Sequence, residues 1–428
     1  MKRMQQRRTT KRRRGLSRTI LALTLACLVV VGAGVAFTIQ ARATARLQAQ
    51  GSNTSTYLYY TLKDTNGYTL ARAVRGSNGQ PTGTPQTLVP LGNEFGLSSS
   101  DSVSSISVSP DGRYVAIDGA RDHGEQVWMY DTQQGSIGFV PAHVMGNFLH
   151  WLPGGNGHSF LYRPMFPLGP DAPMDGGQWN PGLWIVDAAT NAHINIDLSV
   201  PSADLIDAAP SPDGSRIVYS LSPGLGMGSQ VWMMNSDGSA RTLLANLPTG
   251  AQNGPQSVAG LFSWSPDSTH IAYERLVDST TPFLPAALWV MNSQGGQAHY
   301  LTQTDGGHGY ALSWSPDSRK VAYIARTNVG DAHADVLAQS LQCTIGIADV
   351  QSSQSWLAVS NQQTGTRMNI TPVWTPDSAS ITFTALNPIN SVIGGTPRYW
   401  SARISGSTAS AHVTPLTPTL AHVIAIGS

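Results

Sequence analysis

One four-residue pattern governs what this 428-residue chain can fold into. Ser109-Pro110-Asp111-Gly112 recurs as Ser211-Pro212-Asp213-Gly214, Ser265-Pro266-Asp267-Ser268, Ser315-Pro316-Asp317-Ser318 and Thr375-Pro376-Asp377-Ser378. Each copy is followed by a strand of period two: RYVAI, RIVYS, HIAYE, KVAYI and SITFT. The pattern is turn chemistry. Pro presets φ at the first central position, Asp bonds neighbouring backbone N–H groups, and Gly accepts a left-handed conformation. Three copies carry Ser where Gly is expected, which weakens the last feature. A divergent copy, Trp151 to Gly157, precedes HSFLY.

A second motif lies downstream in each unit: QVWMYD, GLWIVD, QVWMMN and ALWVMN, then the weaker TIGIAD and RYWSAR. Polar turn residues follow most of them, and a further strand such as ARTLLA or AHYLTQ comes next. Each unit therefore reads as four antiparallel strands. Successive prolines of the turns (110, 153, 212, 266, 316, 376) are 43, 59, 54, 50 and 60 residues apart, the spacing of propeller blades with variable loops. Residues 57 to 92 add three strands with no such turn before them, and HVIAIGS at the C-terminus is one strand left over. Pairing that strand with the incomplete first unit removes two free edges. The fold expected is thus an all-β β-propeller of four-stranded blades, seven blades in preference to six, preceded by one transmembrane helix. The 43 Gly and 27 Pro suit many short strands joined by turns.

The ordered pair of motifs resembles the TolB-like family of β-propellers, whose blades carry W-S-P-D-G and then a strand of I-Y-x-M-D type. The resemblance covers most of residues 100 to 416 and is poorest around Pro153 and in TIGIAD. It implies a propeller and supplies no ligand.

Charge is unevenly divided. The chain has 26 Lys+Arg against 25 Asp+Glu, yet nine basic residues fall in the first eighteen positions and Arg42 and Arg46 follow. Beyond residue 50 the balance is 15 against 25, a formal −10. Between Arg18 and Arg42 run 23 uncharged residues, long enough to cross a bilayer core of about 30 Å. The basic flank stays cytoplasmic, so the expected layout is a tail at 1–18, a signal anchor at 19–41, a linker at 42–55 and a propeller at 56–428 displayed outside the cytoplasm by a single-pass cell-membrane protein. The competing reading is a cleaved signal peptide ending near Ala43-Thr44-Ala45, but the apolar run exceeds the usual length of one. Cys27 lies within that run and is read as packing among lipid tails or helices, so Cys27 and Cys343 support no disulfide framework. Nucleic acid is not expected as a partner, because the exported body is acidic.

Nine of the eleven tryptophans repeat with the unit. Trp151, Trp264, Trp314 and Trp374 end first strands, while Trp128, Trp184, Trp232, Trp289 and Trp400 sit in third strands. They are read as filling between neighbouring sheets. No G-x-S-x-G, H-E-x-x-H, P-loop or EF-hand pattern occurs, and an appended peptidase is not expected. No cofactor, metal or enzymatic activity is expected.

Loop lengths point to a binding rim. Connections between second and third strands are long, at 163–181, 221–229, 276–286, 326–342 and 386–397, whereas the other turns of each unit are short. In a four-stranded meander those long connections share one face. The rim residues singled out are Arg163, Phe166, Asp171, Asp175, Trp179, Phe283 and Asp331, with His308 and Tyr310 from the connection Asp305 to Tyr310, and Met174 as a further apolar candidate. The expected function is a membrane-anchored extracytoplasmic module that binds or scaffolds a protein or peptide on this face. The alternative is a propeller hydrolase or lyase with its site at the channel mouth.

Overall fold

A computed structural model describes residues 57 to 427 apart from 65–66, 76–80, 92–101, 122–123, 168–181, 201–203, 224–226, 248–255, 279–283, 306–311, 337–339, 388–397, 405, 407–411 and 417–422. The tail, anchor and linker expected at 1–55 lie outside the described residues. Among the described residues, no helix is long and apolar enough to cross a membrane.

The chain is an all-β β-propeller built from antiparallel four-stranded meanders. The first sheet orders Val423–Gly427, Tyr57–Asp64, Gly67–Arg75 and Pro81–Pro90, so a C-terminal strand completes an N-terminal unit as the sequence implies. The second holds Ser102–Val108, Tyr114–Arg121, Gly124–Asp131 and Ser136–Phe139. The third holds Val144–Trp151, Ser159–Pro167, Leu183–Asp187 and His193–Ile196. The fourth runs from Leu205–Pro210 through Arg216–Leu221 and Ser229–Asn235 to Thr242–Leu247. The fifth runs from Gln256–Trp264 through His270–Asp278 and Ala286–Asn292 to His299–Thr304.

The preference for seven blades over six needs correction at the next step. The remaining strands join into one eight-stranded sheet, so the described strands form six sheets rather than seven. Ser313–Trp314, Lys320–Arg326, Cys343–Asp349 and Gln354–Leu357 make one half; Met368–Trp374, Ser380–Leu386, Arg398–Arg403 and Val413–Leu416 make the other. A single parallel pairing, Cys343 with Met368, fuses them, and the Cys343 N–H donates to the Arg367 carbonyl at 3.0 Å. A short helix, Asn361–Thr364, capped by Ser360 and stopped by left-handed Gly365, brings the chain to that junction.

The core consists of layers between sheets instead of one centre. One cluster joins the first and second sheets through Leu70, Ile106, Ile117 and Trp128. Another joins the fourth and fifth through Val218, Met233, Phe262 and Tyr273. The two halves of the eight-stranded sheet pack against each other in the same way, with Ile324, Ile345, Ile381 and Phe383 buried between them.

The repeated tryptophans do what their spacing implies. Trp128 and Trp184 are fully buried. The indole N–H of Trp264 donates to the Ala209 carbonyl (3.1 Å), that of Trp314 to Ser263 (2.8 Å) and that of Trp374 to Ser313 (3.0 Å), each reaching the inner strand of the preceding unit. Burying about 150–250 Å² per ring is worth at most about 4–6 kcal/mol in transfer terms.

Candidate functional site

In a meander, the loops after first and third strands share one end, and those after second strands share the other with the connections between units. The Ser-Pro-Asp turns therefore lie at one end and the long connections at the opposite end.

The turn end is internally satisfied. Ser109, Ser211, Ser265, Ser315 and Thr375 each donate a hydroxyl hydrogen bond to the Asp two residues on. The same carboxylates accept from backbone N–H groups, for instance Arg113, Ser215 and Thr269, each at 3.0 Å. Burial alone would raise Asp111, Asp213 and Asp267, but these hydrogen bonds outweigh it and hold each carboxyl below its ordinary value. The divergent turn before Ser159 is replaced by a different link. His158 Nδ1 lies 2.8 Å from an Asp111 oxygen, and the Asp111 N–H donates to the Gly157 carbonyl at 3.2 Å. These groups are scaffold.

At the opposite end two of the connections are tied at their bases. The Ser222 hydroxyl donates to the Gly228 carbonyl at 2.6 Å and closes the connection of the fourth sheet. In the first half of the eight-stranded sheet, the Thr327 N–H donates to Gln342 (2.9 Å) and the Asn328 side chain donates to Ser340 (2.8 Å). Fixed bases allow the residues between them to be presented without loop closure at the moment of binding.

Each of four consecutive units exposes one large apolar residue at this end. Phe166 is 58% exposed, Met227 55%, Leu284 46% and Val329 54%. Phe166 ends the second strand of the third sheet, opposite Met145. Met227, Leu284 and Val329 stand in the connections that follow second strands. Nearby, a recess of about 370 Å³ is lined by Gln126, Val127, Phe139, Pro141, Ala142, His143 and Val144. Val144 is the register partner of Pro167, next to Phe166.

Of the residues singled out in the sequence, three are described. Phe166 is exposed as a rim residue must be. Arg163 is half-buried within its strand, opposite Asn147 of the inner strand. Asp331 is committed locally: its carboxylate accepts from the His333 N–H at 3.0 Å ahead of the short helix Ala332–Val336, and its carbonyl accepts from Arg326 Nη2 at 2.9 Å. The His333 N–H bond leads the effects that hold its carboxyl below the ordinary value. Asp171, Asp175, Trp179, Phe283, His308 and Tyr310, with Met174, lie outside the described residues.

Two features were missed in the sequence. Met227, Leu284 and Val329 are lone apolar residues in polar or Gly-rich connections, and no periodicity marks them. Glu274 occupies an alternating position in HIAYE and is buried between the fifth sheet and the next. Burial drives its carboxyl well above the ordinary value, the Asp305 carboxylate adds to that, and Thr304 partly offsets it. Among the described residues, no group of three or more His, Cys, Asp or Glu side chains is arranged to hold a metal ion.

Comparison with solved structures finds propellers. The chain is similar to an oligogalacturonate lyase from Vibrio parahaemolyticus, at 14% identity over 85% of this chain and 90% of that one, with a TM-score of 0.55. An oligogalacturonate lyase in complex with manganese gives 14%, the same coverage and a TM-score of 0.54. TolB from Acinetobacter baumannii matches at 16% identity over 71% of this chain, with a TM-score of 0.42, and the chain spans 63% of that protein's length. At these identities the shared property is the fold. No family model and no curated protein matches the sequence.

Proposed function

We propose that this protein is a membrane-anchored, extracytoplasmic β-propeller that serves as a non-enzymatic binding or scaffolding module, holding a protein or peptide partner at the long-connection end of its sheets. One observation carries the reading: Phe166, Met227, Leu284 and Val329 are exposed at the same end, one from each of four consecutive units. Exposed apolar side chains repeated on one end, with the connections that carry Met227 and Val329 closed at the base, are the makings of an interface. The opposite end spends its polar groups on its own turns.

The anchor rests on the 23 uncharged residues between Arg18 and Arg42 and on the nine basic residues before them, which place the N-terminus in the cytoplasm.

The test uses the full-length chain in intact cells. Photo-crosslinking from the propeller should give a defined adduct with one protein, and serine at Phe166, Met227, Leu284 and Val329 together should abolish it. An adduct that survives this variant contradicts the reading. A hydrolase or lyase at the channel mouth, the alternative, predicts turnover that is indifferent to the same four substitutions.

A further inference from the structure

The recess beside Phe166 specifies one group that the partner must present, a step that rests on the binding role given above. This gap of about 370 Å³ lies between the second and third sheets. Val127 and Phe139 wall it on the side of the second sheet, Pro141 and Val144 on the other, and the small Ala142 side chain leaves the space open. The backbone that shapes it is fixed. The Val140 N–H donates to the Val127 carbonyl at 3.2 Å, and the Ala142 N–H donates to Asn191 Oδ1 at 3.0 Å. The gap is therefore formed before anything enters it.

Two polar side chains border it unpartnered. Among the described residues, neither the Gln126 amide nor the His143 imidazole makes a hydrogen bond, although Gln126 is half-buried. His143 is exposed and held at φ 61°, a left-handed conformation that is costly for a residue with a Cβ. Strain of this kind persists where the surrounding structure fixes it, here with an imidazole at the rim. Among the described residues, no carboxylate, lysine or arginine lines the recess, so a charged group would enter it at a net desolvation cost. An apolar cavity of about 150 Å³ takes one benzene ring, so this recess has room for two fused rings. Unused acceptors beside apolar walls match a ring that carries an N–H donor.

We infer that the recess is the socket for a tryptophan side chain of the partner protein, its fused rings against the four apolar walls and its indole N–H donated to Gln126 or His143. Continuity with the proposed interface gives the occupant its source. Val144 is the register partner of Pro167, the residue after Phe166, so a partner that covers Phe166 also covers the mouth of the recess.

The test uses the full-length chain in lipid nanodiscs, with empty nanodiscs as the blank, in calorimetric titrations with N-acetyltryptophanamide, its 1-methylindole derivative and N-acetylleucinamide. The tryptophan amide should bind saturably, about fivefold more tightly than the methylated derivative, which cannot donate, and about tenfold more tightly than the leucine amide. Ala142→Leu fills the recess and should weaken binding about tenfold. Gln126→Leu combined with His143→Gly should bind the two indoles equally; it changes only rim side chains, so its result stands even if Ala142→Leu fails to fold. No saturable binding, equal affinity for the two indoles in the parent, or unchanged binding by folded Ala142→Leu would overturn the inference. In intact cells Ala142→Leu should weaken the crosslinked adduct, and an adduct indifferent to it overturns the partner as the source of the tryptophan. Should the four-serine variant lose its adduct while the tryptophan amide does not bind, the partner-binding role stands and the socket falls. An adduct that survives the four serines, with no amide bound, removes both.

Discussion

The Ser268 hydroxyl accepts a hydrogen bond from the backbone N–H of Asp213 at 3.1 Å, across the junction between two neighbouring sheets. The relationship repeats down the chain, from the Asp267 N–H to Ser318 and from the Asp317 N–H to Ser378, at 3.1 Å each time. All three serines are left-handed, with φ of 60°, 59° and 58°. The strain of that conformation is offset by a link between units that glycine cannot make.

Substitution at these serines separates the two effects. Ser268→Ala keeps the strained backbone and loses the link, so it should cost about 1 kcal/mol. Ser268→Gly loses the link but relieves the backbone and should fall within about 0.5 kcal/mol of the parent. Urea unfolding of the two variants checks the order, and alanine at all three serines should lower stability by about three times the single effect.

The indole stitches make a second prediction. Trp314→Phe removes the part-buried bond to the Ser263 carbonyl and some ring volume, for a cost of about 2 kcal/mol. Trp314→Ala should cost about 3–5 kcal/mol. Thermal unfolding of both variants against the parent reads the difference.

How much of this was legible beforehand depends on the range over which each feature is encoded. The turns and third strands lie in short windows, and their recurrence carried the four-stranded meander, the strand 423–427 completing the first sheet and the tryptophan layers. The serines at the glycine position read as weakened turns because the partner of Ser268 lies 55 residues away. The fusion at Cys343 and Met368 was invisible for the same reason. At the rim, the long connections could be counted, but exposure of Met227, Leu284 and Val329 depends on how each connection is tied. Asp331 looked like a ligand-binding carboxylate, and local hydrogen bonding had already used it.

Acid should weaken the propeller through its turns. Asp111, Asp131, Asp187, Asp213, Asp267, Asp349 and Asp377 are all held below their ordinary value of 3.8 in the fold. A depressed carboxyl contributes stability that is complete above 3.8 and is lost as pH falls through the folded value. The unfolding midpoint in urea should therefore be flat near neutrality and drop steeply below about pH 4, and Asp267→Asn should reduce the slope of that drop.

Glu274 has the opposite sign. Its carboxyl is raised well above 4.5, so its contribution is complete below 4.5 and is lost as pH rises through the folded value. Glu274→Gln keeps the shape without the buried charge. The variant should be more stable than the parent at pH 8 and equal to it near pH 4, as read by thermal unfolding at both pH values.

Backbone approach at Gly146 gives a prediction next to the rim. A Cβ there would clash with the Arg163 carbonyl and come within 2.8 Å of the Tyr162 hydroxyl. Gly146→Ala should force apart the strands Val144–Trp151 and Ser159–Pro167 and cost about 2 kcal/mol or more. It should also weaken partner binding by displacing Phe166, whereas Gly138→Ala, with open space around the added carbon, should do neither.

The most direct measurement is site-resolved photo-crosslinking of the full-length chain in intact cells, with the photoreactive residue placed in turn at Phe166, Met227, Leu284 and Val329 and then at Ile194, Leu243, Tyr300 and Leu357 on the outer strands. The first four positions should yield one common protein adduct and the second four should not. Adducts from the outer strands instead, or the same yield from both sets, would contradict a binding surface at the long-connection end.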